Sequence, residues 1–228
     1  MKRVVTTGII LRRLDYLESD RIITCITPDI GKISLLTKGV RKPKSKLAGS
    51  IELFSESQIT FLLGNGDMGT LLSGRLVSNF AKIITSLDRT ELAYSVVGLL
   101  NRNIEAFSGS EYYDLLKQTL QYLNNFDIKL EMIKIWFGLN FLEIYGNGPN
   151  QNSIDNLNKD SKNFTFNLDT MNFIAKDNGE YSVNDVKTFR LAISSNPSVL
   201  SRIQNDQVNL GSLVSLISLI MRSNNFEY

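Results

Sequence analysis

Hydrophobic and polar residues alternate in short runs along the first eighty residues, a pattern typical of β-strands. Turn residues separate the runs, and no long helical pattern comes between most of them. The runs cover residues 4–12, 21–27, 32–38, 57–63 and 69–77. Five short strands predict a closed or nearly closed barrel, because closure removes the exposed edges that a flat sheet would leave.

From about residue 85 the apolar residues recur every three or four positions, which predicts helices. Two helices are expected first. A third, at residues 128–145, is apolar on nearly every side and ends at Gly146, so we expect it to be central in a helical bundle. Residues 147–182 are polar and Asn-rich, which predicts an irregular segment. Helical patterns return at residues 183–194, 197–204 and 210–222.

The change of period predicts an α+β protein with two domains. Residues 1–80 would form a five-stranded β-barrel, and residues 81–228 a mainly α-helical domain that includes the irregular segment. The charge follows the same division. Residues 1–80 carry 12 Lys and Arg against 7 Asp and Glu, whereas the remainder carries 13 against 16. The basic half indicates an anionic partner for the barrel.

The positive charge is concentrated in one stretch between the third and fourth predicted strands. This basic loop, "TKGVRKPKSKLAG" at residues 37–49, holds five basic residues and no acidic one, and its proline and glycines exclude a regular helix. It is either a solvated surface loop or a binding site for nucleic-acid phosphates, and we favour the second because basic loops on small barrels bind single strands. The candidate DNA-binding residues are Arg12, Arg13, Lys32, Lys38, Arg41, Lys42, Lys44, Lys46 and Arg75. Of the nearby aromatic residues, Tyr16, Phe54 and Phe61, each could stack on bases, although buried core is the favoured role for all three.

Composition argues against most catalytic chemistry. The chain has no histidine and one cysteine, Cys25, which excludes Ser-His-Asp and Cys-His catalysis and multi-cysteine metal sites. Carboxylates remain, and "DYLESD" (residues 15–20) could hold a divalent metal, but we favour a turn with salt bridges to Arg13 and Arg21. "GNGDMG" (residues 64–69) matches a dinucleotide-binding pattern, yet it lies between two predicted strands and is better explained as a hairpin turn.

The N-terminal segment resembles the RecO family of bacterial recombination mediators. The resemblance rests on Gly8 and the strand after it, on the basic run from Arg41, and on the following positions: Tyr16, Glu18, Asp20, Arg21, Thr27, Gly31, Lys32, Lys38, Gly39 and Phe54. It is close over residues 5–77. In layout it extends to the helical remainder, including the "YGNGPN" break at residues 145–150.

This resemblance implies an OB-fold followed by a helical domain, and a DNA-binding protein that is not an enzyme. It implies binding to single- and double-stranded DNA, annealing of complementary strands, and cooperation with RecR in loading RecA onto strands coated by single-stranded-DNA-binding protein (SSB). The C-terminal tail of SSB would bind the helical domain. No cofactor and no small-molecule substrate are implied.

Two departures from the family are visible. Some relatives have a four-cysteine zinc site after the "GP" break, whereas residues 149–182 contain no cysteine, which excludes that site here. The segment must then be held by packing of its apolar residues or stay mobile; these residues are Phe164, Phe166, Leu168, Phe173 and Ile174. Relatives also often have proline where this chain has Leu53.

Three functions therefore compete: a DNA-annealing mediator, a carboxylate-metal nuclease, and an RNA-binding or scaffolding OB-fold protein. The chain shows no opening signal peptide and no uninterrupted apolar stretch long enough for a membrane span. With the resemblance, this predicts a cytoplasmic, nucleoid-associated bacterial protein that does not bind membranes.

Overall fold

The computed structural model describes residues 2–64, 66, 68–106, 109–150, 162–200 and 208–227. The chain divides into two compact units, Met1–Asn124 and Asn125–Tyr228. Among the described residues, no helix combines the length and the hydropathy needed to cross a bilayer.

The first unit contains a closed five-stranded barrel with the strand order β1-β2-β3-β5-β4. This order and closure confirm the predicted barrel and its OB-fold topology. The strands are β1 (Lys2–Tyr16), β2 (Asp20–Thr27), β3 (Gly31–Thr37), β4 (Ser55–Leu63) and β5 (Met68–Asn79). The connection between β4 and β5 contains the glycine-rich motif, and because an antiparallel strand follows it, the motif is a hairpin connection. Asn65 and Asp67 of that motif lie outside the described residues.

Inward-facing side chains of alternating residues fill the barrel. Ile23, Leu35 and Phe61 are fully buried, and Cys25 is one of these core residues, as predicted. Neighbouring strands are joined over long registers except at the closure, where β3 and β5 run parallel and share three residue pairs. Gly69 lies in this closure, and a Cβ there would approach the Leu35 side chain and the Leu62 carbonyl to 2.8 Å, so the position requires glycine.

Two helices pack against the barrel within the first unit: α1 (Leu87–Asn103) and α2 (Glu111–Leu123). Lys32 of β3 donates hydrogen bonds to the carbonyls of Asn101 and Ile104 at the C-terminal end of α1, at 2.7 and 2.5 Å. From α2, Tyr113 and Lys117 both reach the buried carboxylate of Glu56 on β4. The first compact unit therefore ends at Asn124 and includes these two helices, whereas the predicted domain boundary at residue 80 coincides with the end of the barrel alone.

The second unit is built around α3 (Leu130–Tyr145), which is buried on most sides and ends at Gly146 in the left-handed conformation that favours glycine (φ 89°). The other helices among the described residues of this unit are α4 (Val183–Ser194), α5 (Pro197–Leu200) and α6 (Leu210–Ser223). Residues 201–204, predicted to continue the helix at 197, lie outside the described residues.

The prediction of an irregular segment at residues 147–182 is wrong for its second half. Residues 163–182 form a small three-stranded sheet from β6 (Asn163–Asn167), β7 (Asn172–Ala175) and β8 (Tyr181–Ser182). The rings of Phe166 and Phe173 pack on Phe189 of α4, with centroids 5.9 and 5.1 Å away. Aromatic packing thus holds this segment, and residues 151–161 lie outside the described part of the chain.

Candidate nucleic-acid interface

The basic loop is anchored to the barrel by apolar residues within it and directly after it. Val40 and Ile51 are buried in the barrel core, and Leu47 packs partly against it. Two turns, closed by hydrogen bonds from the Lys42 amide to the Gly39 carbonyl and from the Ser45 amide to the Lys42 carbonyl, shape the loop. Lys38 precedes Val40, the other four cations lie between Val40 and Leu47, and all five are exposed: Lys38, Arg41, Lys42, Lys44 and Lys46. The loop thus presents its positive charge to solvent from a fixed backbone.

The connection between β1 and β2 holds the basic loop from the other side. The Gly39 amide donates a 2.8 Å hydrogen bond to the Asp20 carboxylate, and the Arg41 amide donates to the Ser19 carbonyl at 3.0 Å. Gly39 adopts φ 64°, a left-handed conformation for which glycine is the favoured residue. These bonds join the loop to the hairpin tip and set where its first cations lie.

Asp15 pairs with two arginines at this junction. Its carboxylate lies 2.8 Å from Arg21 and 3.5 Å from Arg41. The hydrogen bond from Arg21 lowers the pKa of Asp15 below its ordinary value, and Arg41 adds to the effect. The favoured interpretation of "DYLESD", a turn with salt bridges, is confirmed for Arg21, while Arg13 pairs instead with Glu52. Across the described residues there is no group of three acidic, histidine or cysteine side chains placed to hold a metal ion.

The predicted cations divide into three sets. The five loop residues lie together, and Arg12 is exposed on the neighbouring strand β1. Arg13 is half-buried and neutralised by Glu52. Lys32 and Arg75 lie elsewhere: the Lys32 ammonium is used at the end of α1, and its partial burial lowers its pKa. Arg75 of β5 lies opposite Gln58 of β4. It is five residues, or roughly 17 Å, along β5 from Thr70, the last residue that pairs with β3.

Sequence reasoning missed an exposed surface beside the loop, which we call the outer face. It consists of the outward side chains of β1, β2 and β3 with the start of β5. Strand register aligns them in rows: Arg12, Thr24, Ser34 and Met68 in one, and Leu14, Ile22, Leu36 and Thr70 in the next. Tyr16 and Asp20 form the last row, next to the basic loop. The alternation of Arg12, Leu14 and Tyr16 along β1 was the available signal, since it places all three on one side.

The aromatic residues near the loop differ in exposure. Phe54 and Phe61 are buried, as predicted, and Phe54 packs edge-on against Tyr94 of α1 with centroids 4.9 Å apart. The core prediction is wrong for Tyr16, which lies on the outer face and is exposed. The reason is register: Tyr16 is opposite Asp20 at the tip of the hairpin, beyond the end of the barrel core.

The chain is similar to known proteins over its first half. The family model described as "Recombination protein O N terminal" matches residues 1–80. Proteins named DNA repair protein RecO are 35% identical over 118 residues in Halalkalibacterium halodurans and 37% identical over 120 residues in Listeria welshimeri. These alignments cover 51% and 53% of this chain and 46% of each relative.

A third relative extends the similarity beyond the barrel. The DNA repair protein RecO of Bacillus cytotoxicus is 30% identical over 143 residues, or 62% of this chain and 57% of that protein. The chain therefore spans about half the length of the curated relatives it matches. The matched family domain coincides with the barrel and carries the basic loop. The first part of the chain is therefore similar to RecO proteins, and most clearly to their N-terminal domain.

Proposed function

We propose that this protein is a DNA-binding recombination mediator that anneals complementary strands and, with RecR, helps load RecA onto SSB-coated single-stranded DNA in recombinational repair. The observation that carries the proposal is the basic loop: five exposed cations on a backbone anchored by Val40, Leu47 and Ile51. The family match over residues 1–80 and the repair role named for the relatives support it.

The charge arrangement suits phosphates. Exposed lysines on a fixed loop reach successive backbone phosphates of a strand without reading its sequence. Lys42, Lys44 and Lys46 have no acidic partner within 4 Å among the described residues, so their charge is available to a ligand. Annealing in this proposal needs no catalytic residue, because the protein only holds two strands at high local concentration. RecR and the C-terminal tail of SSB are proposed as partners on family grounds.

The test uses the triple variant Lys42→Ala, Lys44→Ala, Lys46→Ala. Each lost phosphate contact removes about 0.7 from the log–log salt slope on a single strand, so the slope should flatten by roughly 2. The fourth replacement, Arg41→Ala, should raise this to roughly 3, although it also frees Asp15. Fluorescence anisotropy of a labelled oligonucleotide over a salt series measures both changes, and circular dichroism reports folding.

A matched control removes three exposed lysines from elsewhere: Lys82, Lys129 and Lys176. It changes the net charge equally and should leave the slope within about 0.5 of the unchanged protein. Annealing of complementary strands, with and without SSB and RecR, should fall with binding in the loop variant alone. Tighter binding to RNA than to DNA would favour the RNA-binding alternative, and equal slopes for the two triple variants would remove the basic loop from the proposal.

A further inference from the structure

The second unit contains an open cavity where two of its helices end. Its volume is about 530 Å³, and three segments line it: residues 146–148 after α3, residues 168, 169 and 171 between β6 and β7, and residues 223 and 224 at the end of α6. A cavity of this size fits a small organic group better than a single metal ion. The described residues also offer no group of three acidic, histidine or cysteine side chains for a metal. The cavity is therefore a candidate site for an organic ligand.

Hydrogen bonds fix the walls of the cavity to one another. Nδ2 of Asn147 donates to Oδ1 of Asn224 at 2.8 Å, which joins the end of α3 to the end of α6. The Asn150 amide donates to the Met171 carbonyl at 2.9 Å, which joins the segment after α3 to the turn between β6 and β7. The cavity is thus formed before any ligand arrives, and its lining groups have set positions.

The side-chain donors of the lining are used within the protein. Asn147 donates to Asn224, and Nδ2 of Asn224 donates to the Ile220 carbonyl at 2.9 Å. The Ser223 hydroxyl donates to the same carbonyl at 2.8 Å. Within the described part of the chain, no lysine or arginine side chain lines the cavity. A ligand there therefore meets few side-chain donors.

Acceptors and negative charge remain in the lining. Oδ1 of Asn147 and the Asp169 carboxylate accept no hydrogen bond from any described residue. The Glu143 carboxylate lies against Gly148 and brings a second negative charge to the rim. Both helices also end here with the partially negative poles of their dipoles. Arg222, the nearest cation along the chain, is exposed but does not line the cavity.

We propose that this cavity binds a guanidinium or primary ammonium group carried on an aliphatic stem. Both groups are cations that donate hydrogen bonds and accept none, so they match a lining with open acceptors and negative charge. Leu168 and Met171 supply apolar surface for the stem. The group belongs to a free polyamine or to an arginine or lysine side chain of a partner protein. The inference concerns the second unit alone and is independent of the proposed function.

Isothermal titration calorimetry of the whole chain at low salt tests the class of ligand. N-acetylarginine amide should bind, and its neutral analogue N-acetylcitrulline amide should bind at least about 10-fold more weakly, because it has lost the charge and gained a carbonyl acceptor. Tighter binding of spermidine than of capped arginine and capped lysine would identify a polyamine as the source, and the reverse order a partner's side chain. Equal affinity for the arginine and citrulline compounds, or no heat from any of these cations, would overturn the inference.

Two single replacements test the role of the lining carboxylate. Asp169→Asn should weaken binding of the cations by about 3- to 10-fold, because it removes the charge and keeps the shape of the side chain. Asp177→Asn is the matched control, since Asp177 is an exposed acid of the same small sheet that does not line the cavity. It should change the affinity by less than about 1.5-fold. Equal losses for the two variants, or no loss for Asp169→Asn, would contradict the proposal.

A steric replacement tests the location without a change of charge. Ser223 is an exposed residue of the lining, so Ser223→Trp should fold, and circular dichroism checks that it does. The indole would fill the cavity, and binding of the cations should be lost. Unchanged binding by the folded Ser223→Trp variant would place the ligand elsewhere on the protein and remove the cavity as its site.

Discussion

Asp15 offsets part of the positive charge where the hairpin meets the basic loop. It neutralises part of the charge of Arg21 and Arg41, and the hydrogen bond from Arg21 lowers its pKa, so the carboxylate stays ionised at neutral and mildly acidic pH. A phosphate that approaches Arg41 must compete with this carboxylate. Asp15 therefore occupies Arg41 in the way that an anionic ligand would.

Asp15→Asn should tighten single-strand binding at low salt by roughly 2- to 5-fold, the scale of one exposed ion pair. Asparagine still accepts hydrogen bonds from the arginines but leaves their charge to the phosphate. Glu18→Gln is the matched control, because it removes the same charge from the same hairpin, and Glu18 has no ion pair among the described residues. Anisotropy at two salt concentrations measures the difference. Weaker binding by Asp15→Asn would mean that the carboxylate positions Arg41 for its ligand.

Lys32 shows that the role of a cation in the candidate site could not be predicted from its residue type. Its position on a basic strand near the loop suggested a phosphate contact, yet its ammonium satisfies two carbonyls at the end of a helix seventy residues away in the chain. Arg89 does the same for α2, where it donates to the Leu123 carbonyl at 2.8 Å. A cation near a helix C-terminus stabilises the unpaired carbonyls there, but which helix ends beside which cation is decided by tertiary packing.

At the scale of elements, a polar cluster joins α2 to the barrel. The Tyr113 hydroxyl lies 3.0 Å from the Thr7 hydroxyl and donates to the buried Glu56 carboxylate, which also pairs with Lys117 at 2.9 Å. Tyr113→Phe would leave Glu56 with one partner fewer in a buried site. We expect it to lower the free energy of unfolding by about 1–3 kcal/mol, and chemical denaturation would measure the loss. Tyr94→Phe, whose ring also packs on a barrel residue, is the control and should change stability by less than about 0.5 kcal/mol.

The same cluster should make the unchanged protein sensitive to alkali. Burial, with the hydrogen bond to Glu56, raises the pKa of Tyr113 well above its ordinary value. The neutral phenol is therefore favoured in the folded state. Its contribution is complete below pH of about 10, where the unfolded tyrosine is also neutral, and declines as pH rises further. In denaturation series from pH 8 to 11, the difference between the unchanged protein and Tyr113→Phe should shrink, and a constant difference would contradict this account.

The strands of the barrel were predictable because each has a clear alternation bounded by turn residues, and the helices because their apolar periodicity is long. The strands β6 to β8 were not. They are two to five residues long, rich in asparagine, and stabilised by the rings of Phe166, Phe173 and Phe189, which are distant in sequence. Local propensity cannot reveal a sheet whose stability comes from such contacts.

At the scale of the whole molecule, the boundary between compact units predicts which fragment folds. Residues 1–80 would expose the barrel surfaces that α1 and α2 cover, including Glu56 and the face that packs against Tyr94. We expect a fragment of residues 1–124 to unfold cooperatively on heating and to bind single-stranded DNA, and a fragment of residues 1–80 to melt at a lower temperature or without a cooperative transition. Circular dichroism and anisotropy on both fragments measure this. Equal melting temperatures would show that the helices add nothing to the barrel.

The parallel closure between β3 and β5 has a consequence for binding. β3 and β5 share three residue pairs, whereas β2 and β3 share seven. We therefore expect the pairing of β3 with β5, the seam of the barrel, to open before the pairing of β2 with β3. Leu36 and Met68 of the outer face lie on opposite sides of the seam. A nucleic-acid strand in contact with both residues would hold the seam closed, because opening the seam would break those contacts. If the proposed nucleic acid binds there, ligand occupancy and barrel closure form a single coupled equilibrium.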